Sequence, residues 1–399
     1  MAANYTSGAI AFVDAGYYIV SDTVHVPPNI RIVGEALASV ILGTGTRFAD
    51  INSPYPVVQV GAPRSTGYVE MSDLIVSTQG GTAGAVLIEY NLNTPTNTAC
   101  EVGSPPSGLW DVHVRVGGFT GSELQAAQCP KTPGVTTTVP NPRCVAGYLS
   151  MHVTRGAGNL YMENSWVWVA DHDIDDLAEV QISIFAGRGL LIDSLAGRIW
   201  LVASSVEHHV LYQYQLVDTR DIWMGQIQTE TPYFQPNPPA PYPFVTRDVI
   251  RHDPDFASDC QTVLHNKDDT SGLNGTTTSR VLGLPGNPPC FMAWGLRVLG
   301  SRDVVILGAG LYSFFNNYNN NCSSPDNGSN CQARIFWAGL TPPADNDGDS
   351  GASSSLISLA VYNLDTVGSV SAVTRLGNDV ALYSDGVATF ASTVALFKF

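Results

Sequence analysis

The sequence predicts an all-β chain wound as a right-handed, single-stranded parallel β-helix with long disulfide-stapled loops. Three observations carry this: an absence of sustained helical periodicity, a repeat near 23 residues, and cysteines that bracket polar loops. Across 399 residues no apolar spacing of i, i+3, i+4, i+7 lasts beyond about two helical turns. Charged residues make up only 14%, whereas Gly (38) and Pro (25) are plentiful, which suits short strands joined by turns. The length alone would allow two or three domains, but solenoids grow by repetition, so a single β-helix domain over 1–399 is expected.

The repeat is clearest where Ile199-Trp-Leu-Val-Ala-Ser-Ser-Val-Glu207 overlays Ile222-Trp-Met-Gly-Gln-Ile-Gln-Thr-Glu230. Looser copies begin at Val298 and, earlier, at Met71, Leu109 and Glu163; a late one begins at Val361. Each is a polar turn beside a short apolar strand that cannot bury its own face, and stacking copies solves that. Long loops are expected to leave the coils near 94–108, 119–146, 231–246, 253–292, 316–333 and 339–354. A β-sandwich would predict antiparallel hairpins and gives no reason for an in-phase Ile-Trp…Glu repeat.

Net charge is −16 with only three lysines, Lys131, Lys267 and Lys398, so the basic footprint that nucleic acid needs is missing. An anionic membrane surface is disfavoured on the same ground, and no stretch is apolar enough to span a bilayer. Neutral sugar is compatible with this charge. Residues 1–20 lack the basic start of a signal peptide. Asn-x-Ser/Thr sequons nevertheless occur at Asn4, Asn274, Asn321 and Asn327. By proximity, Cys129 pairs with Cys144, Cys260 with Cys290, and Cys322 with Cys331, leaving Cys100 over. A secreted, extracellular protein is the expectation.

If 23 residues make one coil, Glu207 and Glu230 stack one strand spacing apart on one face. Like charges that close raise the pKa of at least one, leaving one carboxyl protonated and one ionised, as acid/base sugar chemistry requires. The alternative is a solvated polar ladder. The surroundings favour sugar: His208, His209, Tyr212 and Gln213 follow Glu207, Gln228 precedes Glu230, and Tyr233 and Phe234 follow it. Trp200 and Trp223 read as core. Asp171 and Asp173, in Asp171-His-Asp-Ile-Asp-Asp176, fit a solvated loop or a cleft wall holding substrate hydroxyls. That run lacks the Gly and Glu of a Ca²⁺ loop, and Asp345–Asp349 reads as a turn. No metal or cofactor is expected. No Arg-x-Lys pair of the pectin-hydrolase kind occurs.

Several ordered motifs resemble fungal glycoside hydrolase family 55, the exo-acting β-1,3-glucanases or laminarinases. They are Ile30-Arg-Ile-Val-Gly-Glu35, Leu109-Trp-Asp-Val-His113, Trp168-Val-Ala-Asp-His-Asp173, Glu207-His-His-Val-Leu-Tyr-Gln-Tyr214, Gln228-Thr-Glu-Thr-Pro-Tyr233 and Gly310-Leu-Tyr-Ser-Phe-Phe315. The resemblance implies a pectin-lyase-like solenoid and inverting hydrolysis of β-1,3-glucan from the non-reducing end. It implies Glu230 as general acid and Glu207 as the carboxylate that helps hold the attacking water, with side chains splayed to about 6.5–9.5 Å. It covers only the C-terminal half of the family, so it also implies an opposing N-terminal β-helix half as a partner. Val206 stands where the family pattern expects a small residue. The other reading is a weak or inactive half acting as a glucan-binding or structural β-helix.

Overall fold

A computed structural model describes residues 10–96, 105–136, 138–244, 252–260, 288–327, 329–341, 357–387 and 391–399. Its strands fall into two sheets, of 14 and 11 strands, and the chain passes from one sheet to the other as it winds. Gly197–Val202 and Ser205–Glu207 lie in the first sheet, Tyr212–Val217 in the second, and Arg220–Glu230 returns to the first. Among the described strands, every pairing is parallel except the two that close the C-terminal end. This is the parallel β-helix that the repeat predicts.

The 23-residue offset is one coil: Ile199 pairs with Ile222, Trp200 with Trp223, and Glu207 with Glu230. The looser copies fall in the same sheet and in phase. Met71, Leu109, Met162, Leu201, Met224, Ile306 and Val361 form one continuous inward column. None is more than 2% exposed. Burying a side chain of this size stabilises by about 1.5–3 kcal/mol, so the column is a principal axis of the core.

Alternation explains the face each residue takes. In Gly197–Val202, Ile199 and Leu201 are buried and Trp200 is half-exposed. Trp223 behaves likewise in the next coil. The expectation that these tryptophans are core is therefore corrected: they lie on the outer face, because inward phase belongs to their neighbours.

A second column bends the first sheet. Asp73, Asp111, Asn164, Ala203, Gln226, Gly308 and Asn363 occupy successive coils between paired positions, all with φ between 50° and 80°. Left-handed backbone suits Asp, Asn and Gly and is strained for Ala. At this corner each strand turns, so 205–207 and 228–230 present a different face from 199–202 and 222–225.

The second sheet is covered on both sides. Every residue of Phe185–Ile192, Tyr212–Val217 and Trp294–Leu299 is buried. Part of the cover is the 252–260 segment, held where Arg188 makes a bidentate pair with Asp253. The three cysteine pairings form as expected, Cys129–Cys144, Cys260–Cys290 and Cys322–Cys331. Cys100, Asn4, Asn274 and Asp345–Asp349 lie outside the described residues. Among the described residues no helix is long and apolar enough to cross a membrane.

Candidate active site

Beyond the left-handed corner, the outer face of the first sheet carries two rows of side chains, one rung per coil. One row runs Arg115, Trp168, Glu207, Glu230, Tyr312. The other runs Trp166, Ser205, Gln228, Gly310, Asp365. The two glutamates are thus backbone neighbours at the middle of a polar and aromatic stripe. Val206, between the rows, points inward and is fully buried. The absence of a side chain at Gly189 makes room for it: a Cβ there would lie 2.4 Å from a Val206 methyl.

The two carboxylates are not equivalent. Glu207 is 6% exposed, whereas the Glu230 side chain is 25% exposed. Three donors hold Glu207: Trp166 Nε1 at 2.9 Å, Gln228 Nε2 at 3.1 Å, and the Ser205 hydroxyl. Burial lifts its carboxyl pKa, the His208 cation pulls it back, and the Glu230 charge adds to the rise; the net direction is upward. Gln228 Nε2 also reaches Glu230 Oε1 at 3.5 Å. These two carboxylate oxygens therefore cannot be further apart than those two hydrogen-bond lengths laid end to end. That limit needs a straight line through the amide nitrogen, whose two N–H bonds diverge by about 120°, so these oxygens lie closer than the roughly 6.5–9.5 Å expected of an inverting pair, and the expected splay is corrected.

His208 lies beneath the pair. Its Nε2 is 3.4 Å from Glu230 Oε2, and its Nδ1 is 2.9 Å from the Val169 carbonyl oxygen. With an acceptor at each nitrogen, the ring donates twice as an imidazolium. Burial by itself would lower its pKa, but the Glu230 hydrogen bond and the charges of Asp171, Glu230 and Glu207 outweigh that and raise it to about 9. Its neighbour His209 is the opposite case. Burial among neutral partners, Ser150 and Gln213, drops it to about 3.

These opposed shifts predict a stability maximum. His208 has a folded pKa raised above the ordinary 6.5, so its contribution is complete below that pH and lost as pH climbs toward 9. The His209 contribution is complete above pH 6.5 and lost as pH falls toward 3. Urea unfolding from pH 4 to 9 should peak near neutrality, with each limb falling by on the order of 2–4 kcal/mol. His209→Gln should flatten the acid limb and His208→Gln the alkaline one; limbs unchanged by either substitution contradict this account.

Several residues expected to touch substrate do not reach the surface. His209, Tyr212, Gln213, Tyr233 and Phe234 are fully buried, and His208 is 3% exposed. Tyr212 and Gln213 belong to the covered second sheet, and Phe234 packs on Phe185 with ring centroids 4.7 Å apart. The Tyr233 hydroxyl donates to the Ile182 carbonyl. They support the stripe from behind. Asp173 is also corrected: it is 6% exposed and accepts from Gln125 Nε2 and Ala126 N, which fastens two loops together. Asp171 stays at the margin, paired with His172 at 2.8 Å. Only Gln228 of the expected binding residues stands on the stripe itself.

The side chains that do stand there include Trp166 and Tyr312, with Trp168, 4% exposed, packed beneath Trp166. The two tryptophan rings stack at 4.7 Å beside a cavity of about 240 Å³, which His113, Arg115 and Asn164 also line. The repeat already held the signal for them: reading its register one coil further each way reaches all three.

Comparison with known proteins finds relatives over nearly the whole chain. A protein named glucan 1,3-beta-glucosidase, from Cochliobolus carbonum, is 39% identical over 98% of this chain and 42% of its own length. Another, named probable glucan endo-1,3-beta-glucosidase, from Arthroderma benhamiae, is 37% identical over 98% of this chain and 38% of its own length. The chain is related to glycoside hydrolase family 55. It spans about two-fifths of the length of these curated relatives. The solved structure of sacteLam55A from Streptomyces sp. SirexAA-E aligns over 96% of this chain and 49% of that one, at 17% identity and a TM-score of 0.48. No family model matches the chain.

Proposed function

We propose that this chain is a secreted glycoside hydrolase that cleaves β-1,3-glucan of the laminarin type from its non-reducing end with inversion. The observation that carries the reading is the paired register of Glu207 and Glu230 on an open, aromatic-lined face. The names of the two relatives supply the substrate class. In this reading Glu230 gives its proton to the glycosidic oxygen as the bond to the anomeric carbon breaks. Glu207 orients the water that attacks the anomeric carbon from the opposite side of the sugar ring and takes the proton that the water releases.

Accessibility supports this division of roles. A general acid must come within hydrogen-bond reach of the leaving oxygen. Glu230 is the more exposed of the two, while the oxygens of Glu207 are already committed to three donors. The raised pKa of Glu207 points the other way, since an acid must start protonated. An acid must also touch the leaving oxygen, and a buried carboxylate already filled by three donors is poorly placed to do so. Reach is therefore the better guide. An opposing β-helix half, as a separate or cleaved partner, is part of the proposal: it would supply the second cleft wall and the positioning that wall contributes.

The test is glucose release from laminarin by the chain, alone and with the preceding portion of the Cochliobolus carbonum relative supplied. The expected result is release that Glu230→Gln removes, with the α-anomer seen first by proton NMR. A first-formed β-anomer contradicts inversion. Thermal protection by laminarin without any release, in either format, makes the chain a glucan-binding β-helix instead.

A further inference from the structure

His208 adjoins both glutamates, yet it has no part in the proton transfer described above. Its backbone lies in the left-handed region at φ 69°, which is uncommon for a residue with a side chain and persists where the fold over-determines it. Here both the backbone and the ring are tied to the next coil. The His208 N–H donates to the Glu230 carbonyl at 2.8 Å, and Nε2 meets Glu230 Oε2. Nδ1 reaches the other way, to the carbonyl of Val169, which ends the paired strand of the preceding coil. One residue therefore bridges three successive coils at the level of the glutamates. The Tyr233 ring stands edge-on to it, 5.3 Å between centroids, and is itself fastened by its hydroxyl to the Ile182 carbonyl.

The charges around the ring are one-sided. Glu207 and Glu230 face it from the first sheet, and Asp171 from the loop beyond Val169, where it is shared with His172. The adjacent His209 is buried among neutral partners, and Tyr233, its hydroxyl pushed upward by burial, is neutral. The cation in the glutamates' own row, Arg115, lies three coils before Glu230, about 14 Å away at one strand spacing per coil. A neutral His208 would fit poorly. With its one proton committed to the Val169 carbonyl, Nε2 would turn a lone pair toward a carboxylate. Protonated, the same ring satisfies both acceptors and offsets one of the three negative charges.

We propose that His208 is a positioning residue for the general acid: its imidazolium holds the Glu230 side chain at the stripe and supplies the counter-charge for the carboxylate that proton transfer leaves behind. This role rests on the hydrolytic reading only for the reaction served; the pairing itself does not. In the step, the Glu230 proton passes to the glycosidic oxygen. The bond from that oxygen to the anomeric carbon breaks with its electron pair staying on oxygen, and Glu230 is left anionic beside Glu207. Two carboxylates on neighbouring coils then repel, and a fixed cation 3.4 Å from one of them stabilises the new charge without rearrangement. His208 keeps its own proton throughout. Being buried, it acts on the sugar only through Glu230.

The test combines His208→Asn with nitrogen NMR of the histidine rings. Asparagine suits the left-handed backbone, but it is uncharged and too short to serve both partners. On laminarin, kcat should fall about ten-fold with KM hardly changed. An activated aryl β-glucoside, whose leaving group needs no proton, should be turned over at close to the unaltered rate. The alkaline limb of kcat/KM should move up by about one pH unit, because a carboxyl without its neighbouring cation gives up its proton less readily. A merely supporting side chain would slow both substrates alike and leave the limb in place, and that result overturns the proposal. In the unaltered chain near pH 8, His208 should carry a proton on both nitrogens, and Glu230→Gln should lower the pH at which it loses one by about one unit or more. A ring that is neutral near pH 8, or indifferent to Glu230→Gln, overturns the proposal even if His208→Asn fails to fold. If no glucose is released, with or without the preceding portion supplied, yet the ring titrates with Glu230, the hydrolytic reading fails and the pairing stands.

Discussion

Glu230→Gln is expected to cut laminarin hydrolysis by about 10³-fold, within the range of roughly 10²–10⁴ that a positioned acid contributes. Glutamine keeps the shape and can still accept from Gln228, but it has no proton to give to a leaving alkoxide. The solenoid should stay folded, because the Glu230 side chain is a quarter exposed and contributes little to the core. Glu207→Gln should lose a similar amount for a different reason. A neutral amide cannot pull on the attacking water, and its NH₂ would face the donors from Trp166, Ser205 or Gln228. Because both groups act in one step, the double variant should be hardly slower than the worse single variant. Turnover measured with purified variants, with strand content followed by circular dichroism, checks both.

The largest stability effect is expected at Asp253→Ala. Among the described residues Arg188 is the largest fully buried side chain, 1% exposed, and Asp253 accepts from both its Nε and its Nη2. Tyr148 lies under the guanidinium at 4.1 Å. Removing the carboxylate leaves a buried cation without its counter-charge, which costs about 3–5 kcal/mol. It also removes one of the ties between the 252–260 segment and the second sheet, leaving those from Arg297 to the His252 carbonyl and from Arg334 to the Asp259 carbonyl. Replacing both partners with apolar residues, as in Arg188→Met with Asp253→Leu, should recover much of that loss, because no charge then remains buried. Urea unfolding of the two variants reads this directly. A single substitution that costs less than about 1 kcal/mol contradicts the assigned burial.

Much of this was legible in the residue pattern, for a physical reason. A solenoid writes its geometry into one dimension, so equivalent positions recur at the coil length. The Ile-Trp…Glu repeat therefore located the first sheet, its inward column and the stacking of Glu207 on Glu230. Cysteine proximity located three loop closures.

What the pattern could not show depends on chain that folds back. Tyr212, Gln213, Tyr233 and Phe234 follow the glutamates closely and look like a sugar site. Their burial is decided by loops covering the second sheet, which leave no periodic trace. Trp200 and Trp223 failed in the other direction: large aromatics suggest core, yet strand alternation assigns them outward once Ile199 and Leu201 are known to face in. The left-handed corner was invisible because Ala203 and Gln226 are not residues that advertise positive φ. Ala203 lies between Asn164 and Gln226 in that column, and its N–H donates to the Gly225 carbonyl.

The division of labour between the two glutamates is the central claim, and one comparison tests it most directly. An activated aryl β-glucoside, such as a dinitrophenyl derivative, leaves without needing a proton, whereas laminarin does not. Glu230→Gln is expected to turn over the aryl substrate at close to the unaltered rate while failing on laminarin, and Glu207→Gln to fail on both. If Glu207→Gln is the variant rescued by the good leaving group, the acid is Glu207 and the assignment made here is wrong.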